Sequence, residues 1–214
     1  MQGLELFLFM KKNIIENAVT AIAVLGVLGF FAWKNHQGEI ANSPSYENGD
    51  VAIARPIGNI EKLYAKSCQV TKVSDGDTIA VECDGDKLKL RFCGIDAPEK
   101  AQPLGTESKA KLENLVMLDQ GKVLVSMIEK DRYGRTVAEV DVFSGRKNER
   151  GEKEYLFVNG EIVLAGLAYH YKQYSANCPN REVIATAEDM AKKKKIGVWS
   201  GYYEKPWDYR HAKK

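Results

Sequence analysis

Histidine is scarce in this chain. Three occur among 214 residues, His36, His170 and His211, and none stands at a spacing that pairs it with a metal ligand or a catalytic partner. A histidine-centred hydrolytic site is therefore disfavoured. Cysteine is scarce too: Cys68, Cys83, Cys93 and Cys178 include no C-x-x-C spacing, which argues against a zinc site. Neither sign of charge is in surplus, with 31 Lys and Arg against 29 Asp and Glu and a net charge of +2. Overall composition thus does not mark the chain as a polyanion binder. The basic excess is local, at Lys192–Lys195 and in the tail residues Arg210, His211, Lys213 and Lys214. Such runs read first as solvated helix ends, where cations suit the helix dipole. No internal repeat is present, and the length allows one domain with a core plus an appendage.

Charge is also missing from one long stretch. No charged residue occurs between Glu16 and Lys34, and Ala18 to Trp33 is apolar or small. With Ile14 and Ile15 the run approaches the roughly 20 residues of a membrane helix. Phe30, Phe31 and Trp33 gather at its end, as interfacial aromatics do, and Lys11 and Lys12 precede it. That bias favours a cytoplasmic N-terminus and an exported remainder. Against a cleaved signal peptide, no small-x-small site directly follows the run, and a cut after Ala41 would put Glu39 at the −3 position. The expectation is a signal anchor over 1–34, a single-pass cell membrane protein and a periplasmic or extracellular domain, secreted if cleaved. Residues 35–62, rich in Asn, Ser, Gly and Pro, read as a flexible linker.

Beyond it, strand-like runs cover Cys68–Val73, Asp77–Cys83, Lys87–Ile95, Lys122–Lys130 and Arg135–Phe143. Asp75-Gly76 is a strong two-residue hairpin signal between the first pair. Thr106–Gln120 carries Leu112, Leu115 and Val116 at helical spacing, with Gly121 as its stop. Asn159 is a candidate N-cap for a second helix ending at Gly166, and a third helix spans Arg181–Lys195. Five strands with a helix between the third and fourth match a five-stranded Greek-key OB barrel, an α+β, mainly β domain over 63–201. Residues 202–214 remain as a basic C-terminal tail. The two-residue turn would set Cys68 opposite Cys83, within disulfide reach. Two buried free thiols fit the same pattern, and a one-residue bulge would undo the register. Cys93 and Cys178 are left as a second pair that spacing does not establish.

Chemistry gathers between Asp75 and Glu99. Asp77, Asp96 and Glu99 are carboxylates that strand ends can bring together, with Arg91 close by. A hard divalent cation wants oxygen ligands from separate segments, with water completing the shell. DGDT at Asp75–Thr78, R-x-x-G-I-D-A-P-E at Arg91–Glu99 and D-R-Y-G-R at Asp131–Arg135 resemble the staphylococcal nuclease (thermonuclease) family. A helix ending in Ile196-Gly197-Val198-Trp199 completes the pattern, which runs from about Lys66 to Trp199.

The resemblance implies the OB-fold barrel and a Ca²⁺-dependent nuclease acting on DNA and RNA with little sequence preference, leaving 5′-hydroxyl and 3′-phosphate ends. It implies Asp77, Asp96 and the Ala97 carbonyl as metal ligands, the last a position where the family often has Thr. Glu99 becomes the group that positions or deprotonates the attacking water, and Arg91 and Arg135 the phosphate clamps. Arg132, Tyr133, Tyr169 and Tyr171 fall around the nucleotide, where stacking suits any base. Alone, each arginine would read as a surface ion pair and each tyrosine as a packed rim residue. The segment KAQPLG after Glu99 is short, and Ser144–Tyr155 is long and charged, read first as a solvated turn. The alternative reading is a non-catalytic nucleic-acid or protein-binding module at the membrane, since relatives of this kind have lost the acidic set; here the set is retained. No obligate protein partner is implied, so a monomer is expected.

Overall fold

The computed structural model describes residues 54–56 and 65–213. The expected anchor, and the expected linker apart from 54–56, lie outside the described residues. Among the described residues, no helix is long and apolar enough to cross a membrane.

Period-two burial makes the strands. Thr78–Cys83 buries Ile79, Val81 and Cys83 while Glu82 faces out, as a half-buried pleated strand requires. The strands are β1 (Ala54–Pro56), β2 (Lys66–Val73), β3 (Thr78–Cys83), β4 (Asp86–Phe92), β5 (Ile95–Asp96), β6 (Lys122–Lys130), β7 (Thr136–Lys147), β8 (Lys153–Phe157) and β9 (Tyr169–His170). The α-helices are α1 (Gly105–Met117), α2 (Val158–Leu164), α3 (Arg181–Lys194) and α4 (Pro206–Ala212). Neighbours run β2-β3-β4-β7-β6, and β6 pairs back to β2, which closes a barrel with β4 and β7 parallel. That closed order is the OB Greek key. Ile79, Leu90, Phe92, Val125, Ala138 and Val140 fill it, and Leu112 of α1, Ile162 of α2 and Ile184 of α3 join the same core.

Several elements depart from the sequence expectations, each for a local reason. The run expected as one strand over Lys87–Ile95 stops at Phe92. Gly94 takes φ +72°, and a Cβ there would lie 2.9 Å from Ile184 Cδ1, so the chain turns where only glycine fits. Beyond the turn, β5 pairs with β9 instead. Asn159 caps nothing. Its buried side chain accepts from the Val140 N–H and donates to the carbonyls of Cys93 and Ala138, tying α2 to β7. Ser144–Tyr155 is a hairpin rather than a loop, because β7 continues to Lys147 and β8 returns from Lys153. The expected basic tail contains α4.

The β2–β3 hairpin is the most instructive departure. Its turn is one residue longer than two, since the Ser74 N–H donates to the Thr78 carbonyl. A bulge at Thr71 then returns the register, with Val73 opposite Ile79 but Val70 opposite Val81. The two irregularities cancel, and Cys68 and Cys83 meet in a disulfide with Cα atoms 4.4 Å apart. A second disulfide joins Cys93 to Cys178 across a separation of 85 residues, against 15 for the first.

Chain-entropy arguments give about 4.5 kcal/mol for closing the longer loop and about 3 kcal/mol for the shorter. Replacing Cys93 and Cys178 together by Ser is therefore expected to destabilise the protein more than replacing Cys68 and Cys83. Denaturant unfolding of the two double variants measures this, and a larger loss for the shorter loop would refute it.

Candidate active site

Strand register brings the first charged groups together. Thr78 pairs with Arg91 across β3 and β4, and the Phe92 N–H donates to the Asp77 carbonyl at 2.9 Å. The Arg91 side chain therefore rises beside Asp77. Pairing of β5 with β9 fixes Asp96 opposite Tyr169. Arg91 Nη2 donates to Asp96 Oδ1 at 2.7 Å, and Nη1 lies 2.8 Å from Asp77 Oδ2 in an ion pair without hydrogen-bond alignment. Asp77 Oδ2 also accepts the Ala97 N–H at 2.6 Å, and Oδ1 accepts from Thr78 Oγ1. Asp96 is fully buried and Asp77 nearly so. Gly76 makes the close fit possible, because a Cβ there would fall 1.8 Å from Ser108 Oγ on α1.

Burial pushes the Asp96 carboxyl pKa up, opposed by Arg210 and Arg91. With two guanidinium groups at hydrogen-bond distance, this is a charged cluster held dry by its own countercharges. Asp75 adds a carboxylate that sequence reading took only as a turn residue. Its Oδ1 accepts the Asp77 N–H, and burial followed by the charge of Asp77 pushes its pKa up to about 6.

Glu99 follows Pro98 on the segment before α1. Its N–H donates to Gln102 Oε1 at 2.9 Å, and its Oε1 accepts from Arg210 Nη1 at 2.9 Å. Arg210 comes from α4 and also grips Asp96, with Nη2 2.7 Å from Oδ2 and Nη1 3.1 Å from Oδ1. Beside these groups stands an aromatic wall. Trp207 of α4 stacks face to face on Tyr171 at 5.1 Å and 2°. Buried Tyr169 meets Trp207 edge-on at 5.6 Å and Trp199 at 5.2 Å. Burial pushes the Tyr169 phenol up to about 12, so it stays neutral.

The residues of the Asp131–Arg135 turn bond among themselves and lead into β7, which runs parallel beside β4 with Thr136 opposite Leu90 and Val137 opposite Arg91. Arg135 donates from Nε to Asp131 Oδ2 at 2.7 Å, and its own N–H donates to Oδ1. Burial pushes the Asp131 pKa up, but bonds from Arg135 and the Tyr133 N–H outweigh it, leaving the carboxyl below its usual range. Arg132 and Arg135 lie over the exposed Tyr133 ring at 5.0 and 5.6 Å. The structure thus joins Asp77, Arg91, Asp96, Ala97 and Glu99 through shared bonds beside Tyr169 and Tyr171, while Arg132, Tyr133 and Arg135 contact one another and Asp131 at the turn into β7. Sequence reading missed Asp75, Trp207 and Arg210. The signal for the last two was present: Pro206 opens a helix at its first position, and Trp207 and Arg210 at i, i+3 share one face.

The closed strand order defines an OB-type barrel with a buried Asp–Arg–Asp cluster at its end, and the comparisons supply the family. Residues 89–201 match the family of staphylococcal nuclease homologues. An uncharacterized endonuclease of Haemophilus influenzae is 38% identical over 135 residues, 63% of this chain and 66% of the relative. A micrococcal nuclease of Shigella flexneri is 31% identical over 147 residues, 68% of this chain and 81% of the relative. A thermonuclease of Staphylococcus hyicus is 35% identical over 138 residues, 62% of this chain and 75% of the relative. The chain belongs to the staphylococcal nuclease family and is a nuclease hydrolase of that family. Helix α4 lies beyond the matched residues.

Removing Arg91 would strand two buried carboxylates, so Arg91→Ala is expected to cost about 3–5 kcal/mol of stability. Arg135→Ala breaks a partly exposed pair closed within one turn, whose carboxylate keeps its backbone N–H partners, and is expected to cost less, about 1 kcal/mol. Urea unfolding compares them, and similar losses would contradict the bridging role. A pH effect comes from His170, whose backbone N–H donates to Glu188 Oε1 while its ring Nε2 lies 3.0 Å from Ser175 Oγ. Burial pushes its pKa down, with Glu188 opposing. The unfolded chain therefore takes up a proton below about 6.5 that the folded chain refuses. The contribution of His170 is expected to fall as pH drops through that value, while Asp75, raised to about 6 in the folded protein, opposes it in parent and variant alike, so the parent is expected to lose stability relative to His170→Gln. Equal slopes from unfolding curves at pH 7.5 and 5.5 would exclude it.

Proposed function

We propose that this nuclease is calcium-dependent and hydrolyses phosphodiester bonds of DNA and RNA with little sequence preference, leaving 5′-hydroxyl and 3′-phosphate ends. The observation that carries the reading is the convergence of Asp77, Asp96 and Glu99 on shared guanidinium groups. The donors are all oxygen and already collect positive charge, with the Arg210 guanidinium standing in as a cation at Asp96, which suits a hard ion in kind. Both Asp96 oxygens are held by guanidinium groups, Oδ1 by Arg91 and Arg210 and Oδ2 by Arg210, so the fit requires Arg210 to withdraw. Asp77, Asp96 and the Ala97 carbonyl would then hold the ion, whose charge would stabilise the phosphate oxygens and lower the cost of activating water.

The chain's own residues supply the rest. Glu99 accepts a proton from the attacking water as the new oxygen–phosphorus bond forms. The bond from phosphorus to the 5′ oxygen breaks, and that oxygen leaves as a hydroxyl after taking up a proton from solvent. Arg91 neutralises the aspartates and, with Arg135 once released from Asp131, offers planar donors to the charge developing on the phosphate. Tyr171, Tyr169 and Tyr133 offer aromatic surface to bases, and Arg132 a further cation to the backbone. Stacking of this kind tolerates any base. The reading includes a monomer tethered to the membrane with its domain exported. The uncharged run between Glu16 and Lys34 and two disulfides, which persist outside reducing compartments, support it.

Full-length protein incubated with single-stranded DNA is expected to cleave in calcium and to stop with chelator. Glu99→Gln is expected to keep the fold by circular dichroism and to lose at least 100-fold in cleavage rate. A folded Glu99→Gln protein as active as the parent would remove Glu99 from the mechanism. Intact DNA in every divalent cation, with the DNA still bound, would favour a binding module.

A further inference from the structure

Helix α4 meets the site in two places at once. Arg210 takes both oxygens of Asp96 and one of Glu99, and Trp207 covers the face of Tyr171. Asp96 is fully buried, so its oxygens have little room for another partner while Arg210 and Arg91 hold them. A guanidinium bidentate on a carboxylate and a divalent cation on the same oxygens exclude each other. The flat face of Tyr171 likewise accepts either the Trp207 indole or a base. The seven residues of α4 are too few for a helix stable alone. Buried Pro206, the Trp207 stack and the Arg210 pairs hold it down, and Gln102 ties its lead-in to the Glu99 segment by donating to the Glu204 carbonyl at 2.9 Å.

We propose that α4 is a displaceable internal plug: Arg210 occupies the cation position at Asp96 and Glu99, Trp207 occupies the base position on Tyr171, and calcium and nucleic acid together drive the helix out. The proposal rests on the nuclease reading above, since it assigns the competitor for that site's ligands. While docked, the plug reduces the apparent affinity of each ligand by the fraction of open protein. Either ligand that removes it favours the other, so the two bind with positive coupling.

The test uses full-length protein, with calcium chloride and a short oligothymidylate as probes. Arg210→Ala and Trp207→Ala are each expected to bind calcium at least tenfold more tightly than the parent by titration calorimetry. Trp207→Ala is the decisive variant, because it keeps the Arg210 charge and removes only the stack, so simple loss of positive charge cannot explain its gain. Hydrogen exchange in residues 205–213 of the parent is expected to speed up when calcium and oligothymidylate are added. Parent-like calcium affinity in Trp207→Ala, or full protection of 205–213 with both probes bound, would overturn the plug. Cleavage measured on the same samples separates the two readings. Tighter calcium binding without cleavage by any form would overturn the nuclease proposal and support the plug. Normal cleavage with unchanged calcium affinity would do the reverse.

Discussion

The site depends on one guanidinium placed between two buried carboxylates. Asp77 ends the β2–β3 turn and Asp96 lies in β5, and the two would repel each other where water is excluded. Arg91 lies across both, and the charge it supplies lets them stay buried and near each other. Replacing such a group by something neutral leaves uncompensated charge in a low dielectric, a larger penalty than the pair's own net worth. Much of the surrounding architecture can be understood as holding those three groups in reach. The antiparallel register of β3 and β4 sets Arg91 beside Asp77. The Gly94 turn releases the chain from the barrel so that β5 carries Asp96 back over its end.

The same electrostatic arrangement explains the second arginine. Asp77 and Asp96 bring two negative charges, Glu99 a third, and Arg91 answers only one. Arg210 lowers the imbalance from a different part of the chain, and its helix contributes the aromatic surface that closes over Tyr171. Arg135 is the contrasting case. It has its own carboxylate, Asp131, within one short turn, and so is stored locally.

Much of the barrel was legible because period-two burial and turn residues are local properties. The β6 range agrees with its sequence pattern, and α1 and α3 follow theirs within a few residues. What was not legible depended on distant contacts. Asn159 looks like a helix cap until β7 offers its backbone as the better partner. The end of β4 is set by Ile184 and Cys178 crowding Gly94, neither of which is near in sequence. In the site, Asp77, Arg91, Asp96 and Glu99 were identifiable because short motifs carry them. Trp207 and Arg210 were not, since a basic terminal run usually faces solvent and only the fold shows what it meets.

The disulfide between Cys93 and Cys178 makes a covalent ring of the intervening chain. Asp96, Glu99, Arg135, Tyr169 and Tyr171 lie within that ring, whereas Asp77 and Arg91 precede it and Trp207 and Arg210 follow it. The exposed turn from Asn148 to Glu152 is also inside. A protease that nicks this turn opens the ring without dividing the molecule. The severed halves stay bonded beside the corner that carries Asp96, and the barrel strands on either side of the cut keep their partners. Such a domain can be clipped once at this exposed hairpin and remain one particle until a reductant arrives.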